Sequence, residues 1–242
     1  IQMFSFSLFA AYTMWRMYGK NQDDVIFFSH DYIPLYFLSF FARRIFYDIH
    51  HFPGKNWMYR RLMSHSFAFG VQTQWKKKAL FEEWGIGGER IVYWPNGTDI
   101  REFDISLSRD DAREKLGLAA NRAMALYTGA LFAWKGVDTL IQSVVWLDKR
   151  TDIYVVGGSA GDIERCRRVL KEARDPRIKF VLPKPHRDIP IWLKAADVLV
   201  LPNTGKMKVS QYYTSPMKLF EYMASRRPIV ASDIPSVREI LN

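Results

Sequence analysis

Cysteine is almost absent from this chain of 242 residues: Cys166, in ERCRRVL, stands alone. A single cysteine excludes an intramolecular disulfide framework and fits a reducing compartment. Its place on an expected helix reads as packing, not as a nucleophile. Long apolar runs are missing too. The most apolar stretch, IQMFSFSLFAAYTMW, turns basic at Arg16 and Lys20, short of the roughly 20 residues a bilayer demands. It also lacks the basic segment and small-residue cleavage site of a secretory signal. A buried or interfacial helix is expected there. No Asp-x-Asp pair occurs, and the five histidines show no metal-ligand spacing, so neither a metal nor another cofactor is expected. There is no short repeat and no low-complexity tract. With 48% apolar and 15% aromatic residues, the chain has ample material for a core, which excludes disorder.

Positive charge is abundant. The formal net charge of +10 is uneven, with +2 on residues 1–104 and +8 on residues 105–242. Such an excess suits a nucleotide, a phosphate, an acidic lipid or nucleic acid, or is simply a solvated basic surface. No nucleic-acid recognition motif accompanies it, so nucleic acid is not an expected partner.

Short apolar runs alternate with helical patterns along the chain. Strands are expected at 24–29, 45–49, 66–71 and 90–95, with helices at 34–44, 56–65 and 73–85. The polar, turn-rich stretch 96–111 reads as an interdomain linker. A second series follows, with strands at AMALYTG, DIYVVGG, IKFVL, DVLVLP and PIVAS and helices between them. The closing SVREIL opens on a Ser-x-x-Glu pattern expected to cap a last helix. Strands alternating with helices imply parallel βα units, hence an α/β fold. Two successive series imply two Rossmann-like domains.

Two stretches carry candidate chemistry. In TSPMKLFEYMA, Ser215 is expected to cap a helix whose first residue is Pro216. The amides of Met217 and Lys218 then point outward at the positive end of the helix dipole, where phosphate binds readily, and Lys218 adds a mobile charge. Glu221 follows Pro216 by five residues, about 7 Å along the axis, which resembles the step from a diphosphate to a ribose. Met217, Phe220, Met223 and Ala224 are expected to pack this helix down. An ordinary capped amphipathic helix with an exposed glutamate explains these eleven residues equally well. In LYTGALFAWKGVDTLI the arrangement recurs: a strand, Gly129, a short loop, then Lys135 entering a helix. Both basic helix starts fall beyond strand ends, where open α/β sheets bind ligands.

Taken in order, HDYIPLYFL, YDIHHFP, PNGTDIREFD, YTGALFAWKGVDTLI, YVVGG, ADVLVLP and TSPMKLFEYMASRRPIVASDIPSVREIL resemble the retaining GT-B glycosyltransferases of family four, "glycosyl transferases group 1". Within them the match is to a subgroup carrying SPxKLFEYM. The resemblance covers nearly the whole chain. It implies two Rossmann-like domains facing across a cleft: residues 1–104 as an acceptor domain without its opening βα units, and residues 105–242 as a nucleotide-sugar domain without its closing helices. It implies a cytoplasmic enzyme that transfers a hexosyl-type sugar, with retention and without metal, from a nucleoside-diphosphate sugar (UDP or GDP) to a glycan, lipid or other hydroxyl acceptor.

By position, the resemblance implies that Lys135 and Gly129 meet the donor diphosphate. Ser215, Pro216, Met217 and Lys218 present the helix start to the phosphates, and Glu221 holds the ribose hydroxyls. His50 corresponds to a cleft histidine near the transferring sugar, with His30 as a second cleft residue; His50, Lys135 and Glu221 form the implied catalytic set. Two positions depart from the pattern. Ala130 stands where many relatives have arginine, and Tyr213 where many have a glutamate beside the donor sugar. These departures motivate an alternative, a catalytically inactive nucleotide-binding remnant or scaffold; an epimerase on the same fold fits 214–241 less well. Aromatics interleaved with bases in FFARRIF, NWMYRRLM and TQWKKK suit peripheral contact with an anionic membrane on its inner face, though amphipathic helices with basic outer faces show the same pattern.

Overall fold

Runs such as IFYD and AMALYT offer no polar face to turn toward water, which is how a strand covered on both sides reads. A computed structural model, describing residues 2–241, places these runs in two parallel sheets, one in each of two units. Ile1 and Asn242, the outermost residues of the expected domains, lie outside the described residues.

The first unit comprises residues up to Pro95 together with Tyr212–Ser215. Its sheet has the order β1-β2-β3-β4, formed by Phe27–Ser29, Ile45–Asp48, Ser66–Val71 and Ile91–Tyr93. Leu35, Ile45, Ile49, Leu62, Phe69 and Val71 are fully buried around it. Helices α1 (Gln2–Tyr18), α2 (Tyr32–Leu38), α3 (Trp57–His65) and α4 (Gln74–Trp84) accompany the strands. Helix α1 is not buried, contrary to that part of the expectation. Only Ser7 and Ala11 of its residues are buried, while Phe6 and Phe9 are exposed. Among the described residues no helix is long and apolar enough to cross a membrane. Helix α2 stops well before 44, because the Arg61 guanidinium takes the carbonyl and hydroxyl oxygens of Ser39 just past its end.

The second unit comprises 96–211 and 216–242. The stretch 96–111 therefore does not behave as a linker. Asp99 caps α5 (Ile100–Phe103) and Ser108 caps α6 (Arg109–Leu116), each side chain accepting a backbone N–H of its helix's first turn. Phe103 is fully buried in this unit's core, and Asp104 takes Arg226 at 2.6 Å. Turn residues that looked like a flexible join are caps. The second unit begins at Asn96, ahead of the expected boundary at 104.

The second sheet has the order β7-β6-β5-β8-β9, from Ala123–Thr128 (β5), Thr151–Val156 (β6), Ile178–Val181 (β7), Val198–Leu201 (β8) and Ile229–Ala231 (β9). Helices α7 (Val137–Gln142), α8 (Ala160–Val169), α9 (Ile189–Ala195), α10 (Met217–Ala224) and α11 (Pro235–Leu241) cover it. The chain builds outward from β5 in one direction, then returns to lay β8 on its other side. That reversal opens a crevice beyond the strand ends, where doubly wound sheets take ligands. At the far end, α11 starts at Pro235, so Ser236 is inside the helix and not its cap. Its hydroxyl instead donates to the Ser210 carbonyl oxygen at 2.7 Å.

Candidate functional site

The crevice between β5 and β8 receives one loop from each strand. The loop after β5 carries Gly129 and Lys135, and the chain after β8 leads to α10 and Lys218. Tyr222 ties the two together. Its fully buried side chain reaches the end of β5, where its hydroxyl oxygen accepts the Thr128 N–H at 3.0 Å. Lys218, one turn earlier on α10, is thereby set over the strand end. Its ammonium donates to the Tyr127 hydroxyl at 3.2 Å and lies 4.4 Å from the centre of that ring. Tyr127 in turn donates to the Ala130 carbonyl at 2.7 Å. Gly129 has φ of 118°, and a Cβ there would sit 2.2 Å from Lys218 Nζ. Only glycine combines that backbone with that approach.

Lys135 ends a short helical turn, Ala133–Lys135, and its ammonium rests 3.8 Å from the centre of the Trp134 ring. The loop is pinned by the Trp134 carbonyl, which accepts the Thr204 N–H at 3.1 Å and the Ser210 hydroxyl at 3.3 Å. Burial lowers the Lys135 ammonium to about 8. Burial lowers Lys218 further, to about 7; the charge of Lys135 pushes the same way, and Glu221 partly opposes both. Two desolvated ammonium groups within Coulombic reach of each other are unfavourable until an anion arrives.

Helix α10 begins at Met217 with Pro216 in the cap position, one residue later than expected. Its packing differs more. Leu219 and Tyr222 are fully buried, whereas Met217 is 56% and Met223 44% exposed. The stripe facing the sheet is the i, i+3 pair Leu219/Tyr222. Phe220, Met223 and Ala224 instead line a groove with Ile100 and Arg226. Glu221 is largely covered, at 13% exposure, and its Oε1 lies 3.2 Å from Nε2 of His186. The His186 ring meets Phe103 edge-on at 5.5 Å. Sequence reasoning missed His186; its signal was the turn PKPH at the end of a strand of the same sheet.

The second unit thus gathers Gly129, Lys135, Lys218 and Glu221. Pro216 and Met217, at the start of α10, belong to the second unit as well, whereas Ser215, Tyr213, His50 and His30 belong to the first. His50 leaves the end of β2 with Nε2 at 2.9 Å from Asp48 Oδ2, and the His30 ring lies 5.2 Å from its own. Tyr213, expected in the donor domain, belongs with Ser215 to the first unit, where its ring stacks on Phe52 at 5.0 Å.

Residues 122–242 match the family model described as "Glycosyl transferases group 1". Among curated proteins, the chain is 24% identical over 190 residues to the D-inositol 3-phosphate glycosyltransferase of Xylanimonas cellulosilytica, covering 75% of this chain and 44% of that one. It is 25% identical to the alpha-D-kanosaminyltransferase of Streptomyces kanamyceticus, covering 78% and 48%. The chain therefore spans about half the length of the curated relatives it matches. Among solved structures, Anabaena HepE in complex with UDP superposes with a TM-score of 0.77 at 18% identity, over 96% of this chain and 65% of that one. HepE with UDP-glucose gives 0.69 at 20% identity, over 90% and 62%. These likenesses show the fold, two parallel-sheet Rossmann-like units of the GT-B type. With half its length matched by the family model, and with that half holding the two lysines and the glutamate, the chain belongs to the glycosyl transferases group 1 family.

Proposed function

We propose that this protein transfers a sugar from a nucleoside-diphosphate sugar, with UDP as the carrier, to a hydroxyl acceptor on a glycan or lipid. One observation carries the reading: two lysines short of counter-charge converge at the β5/β8 crevice, with a shielded carboxylate one turn along the same helix. A diphosphate supplies the missing charge, and the ribose next to it supplies hydroxyl donors for Glu221. The binding of UDP and UDP-glucose by HepE supports the choice of carrier.

In this reading Lys218, Lys135 and the first amides of α10 stabilise the charge that grows on the leaving diphosphate as the glycosidic bond breaks. Electrostatic stabilisation of this kind is commonly the largest single contribution to catalysis. It operates without a metal, and no protein general base is assigned: the acceptor hydroxyl attacks from the face the diphosphate leaves, with retention, and a donor phosphate oxygen takes its proton. His50 acts on the sugar side. The acceptor belongs to the first unit, where exposed Phe40 and Trp57, with Arg61 stacked 3.9 Å from the Phe40 ring, suit the surface of an anionic membrane.

The test is release of UDP from UDP-sugars in the presence of a panel of glycan and lipid acceptors, run beside calorimetry with UDP. Release that depends on acceptor supports the proposal. Binding without release across the panel selects the inactive remnant instead, and absence of UDP binding removes both.

A further inference from the structure

The end of β2 holds a polar network that the reaction outlined above does not use. Asp48, 8% exposed, accepts at Oδ1 from Gln72 Nε2 at 2.7 Å and from Trp94 Nε1 at 3.1 Å. Lys76 is 1% exposed, and its ammonium spends its three hydrogens on the Ile49 carbonyl at 3.0 Å, the His50 carbonyl at 2.9 Å and Gln72 Oε1 at 2.7 Å. Gln72 joins the two ions. Because Asp48 only accepts and Lys76 only donates, its amide has one satisfactory orientation. Room for this is deliberate: a Cβ on Gly70 would meet Trp94 at 2.7 Å and Asp48 Oδ1 at 2.8 Å.

Buried ion networks are a poor route to stability, since apolar replacements of similar volume are often as stable or more so. What this one does is fix a backbone. It clamps the carbonyls of Ile49 and His50, and Asp48 Oδ2 takes the His50 ring at 2.9 Å. A carboxylate that accepts from Nε2 requires the hydrogen to be there, so the neutral ring keeps its lone pair on Nδ1. The imidazole is about half exposed.

We infer that Asp48 and Lys76 are positioning residues that hold His50 as its Nε2–H tautomer, so that Nδ1 is offered as a hydrogen-bond acceptor to a ligand hydroxyl, the group a sugar presents. Burial lowers the Lys76 ammonium to about 8 while Asp48 holds it up, as befits a cation retained for its partners. The inference rests on the sugar-transfer reading for its role in turnover, but its geometry is testable without turnover.

The experiment uses the chain labelled with 15N-histidine. Long-range 15N–1H spectra should show His50 with its proton on Nε2, and Asp48→Asn should shift the ring toward the Nδ1–H form. With UDP-glucose as donor, Lys76→Met should lower kcat by about tenfold to a hundredfold, the scale of a misplaced reacting group, with the donor KM within about twofold. Trp94→Phe, which removes one donor to Asp48 and keeps an aromatic ring, provides the same kinetic split should Lys76→Met fail to fold. An Nδ1–H tautomer in the unmodified protein, or a tautomer indifferent to Asp48→Asn, overturns the inference. A fall confined to KM overturns it as well. The stated tautomer response with no transfer from any donor supports the positioning and removes the sugar-transfer reading, so the two failures are distinct.

Discussion

Raising pH should weaken donor binding steeply, and the two lysines of the β5/β8 crevice set the scale. Lys218 titrates at about 7 and Lys135 at about 8 in the free protein. If the diphosphate is held only when both are charged, its apparent Kd scales inversely with the doubly protonated fraction. That fraction is about 0.9 at roughly pH 6 and about 0.05 at roughly pH 8, so affinity falls by about twentyfold. The sign is that of a depressed lysine: the charged, binding form prevails at low pH and disappears as pH rises through the native value. UDP-glucose is the ligand of choice, because its diphosphate diester does not titrate in this range. Binding must also return the missing protons. Near pH 7.5 the two lysines together lack about one proton, so calorimetry in two buffers of different ionisation enthalpy should show uptake of about one proton per donor bound. An affinity flat from pH 6 to 8, or binding without proton uptake, refutes the claim that these two ammonium groups receive the diphosphate.

Glu221→Ala should remove most of the thermal shift produced by UDP; an unchanged shift would falsify the ribose assignment. Gly129→Ala places a methyl group against Lys218 Nζ and strains a residue at φ 118°, so UDP affinity should fall by about tenfold or more, read by calorimetry. Tyr222→Phe leaves the buried Thr128 N–H without its acceptor, and denaturant unfolding should show a loss of about 1–3 kcal/mol. Lys218→Met should abolish UDP binding yet not lower the melting midpoint at neutral pH. The desolvated ammonium penalises the fold fully below about pH 7, and the penalty fades toward the unfolded value near 10, so the unmodified protein should gain on the variant as pH rises.

The sheets were legible because their strands are covered on both faces and read as unbroken apolar runs; SFAFGV is a strand over the residues expected. The placement of Lys135 and Lys218 beyond strand ends was legible because each stands near the helix start that follows a strand. The errors have a common source, in that pattern reports what a residue is and not what it touches. Asp99 and Ser108 looked like loop residues because capping residues and loop residues are the same types. Met217 and Met223 looked like core residues on hydrophobicity alone, whereas the buried stripe is Leu219 and Tyr222, the latter kept inside by its hydroxyl bond to Thr128. Lys76 could not be told from Lys77 and Lys78 in QWKKKAL. Thr73 decides it by capping α4 through the Lys76 N–H, which holds that lysine in the first turn, beside the end of β2.

The four residues 212–215 have a practical consequence for anyone dividing this protein. They are grouped with strands that precede them by more than a hundred positions, while the chain on either side of them is grouped elsewhere. A shortened version starting after Pro95 would keep the lysines but strand the aromatic ring that lies flat against Phe52, and one ending at Pro95 would leave Phe52 uncovered. Neither half is a self-sufficient product of a single cut, and ligand-binding work on isolated pieces should restore or replace that small borrowed loop before any loss of affinity is assigned to the missing half.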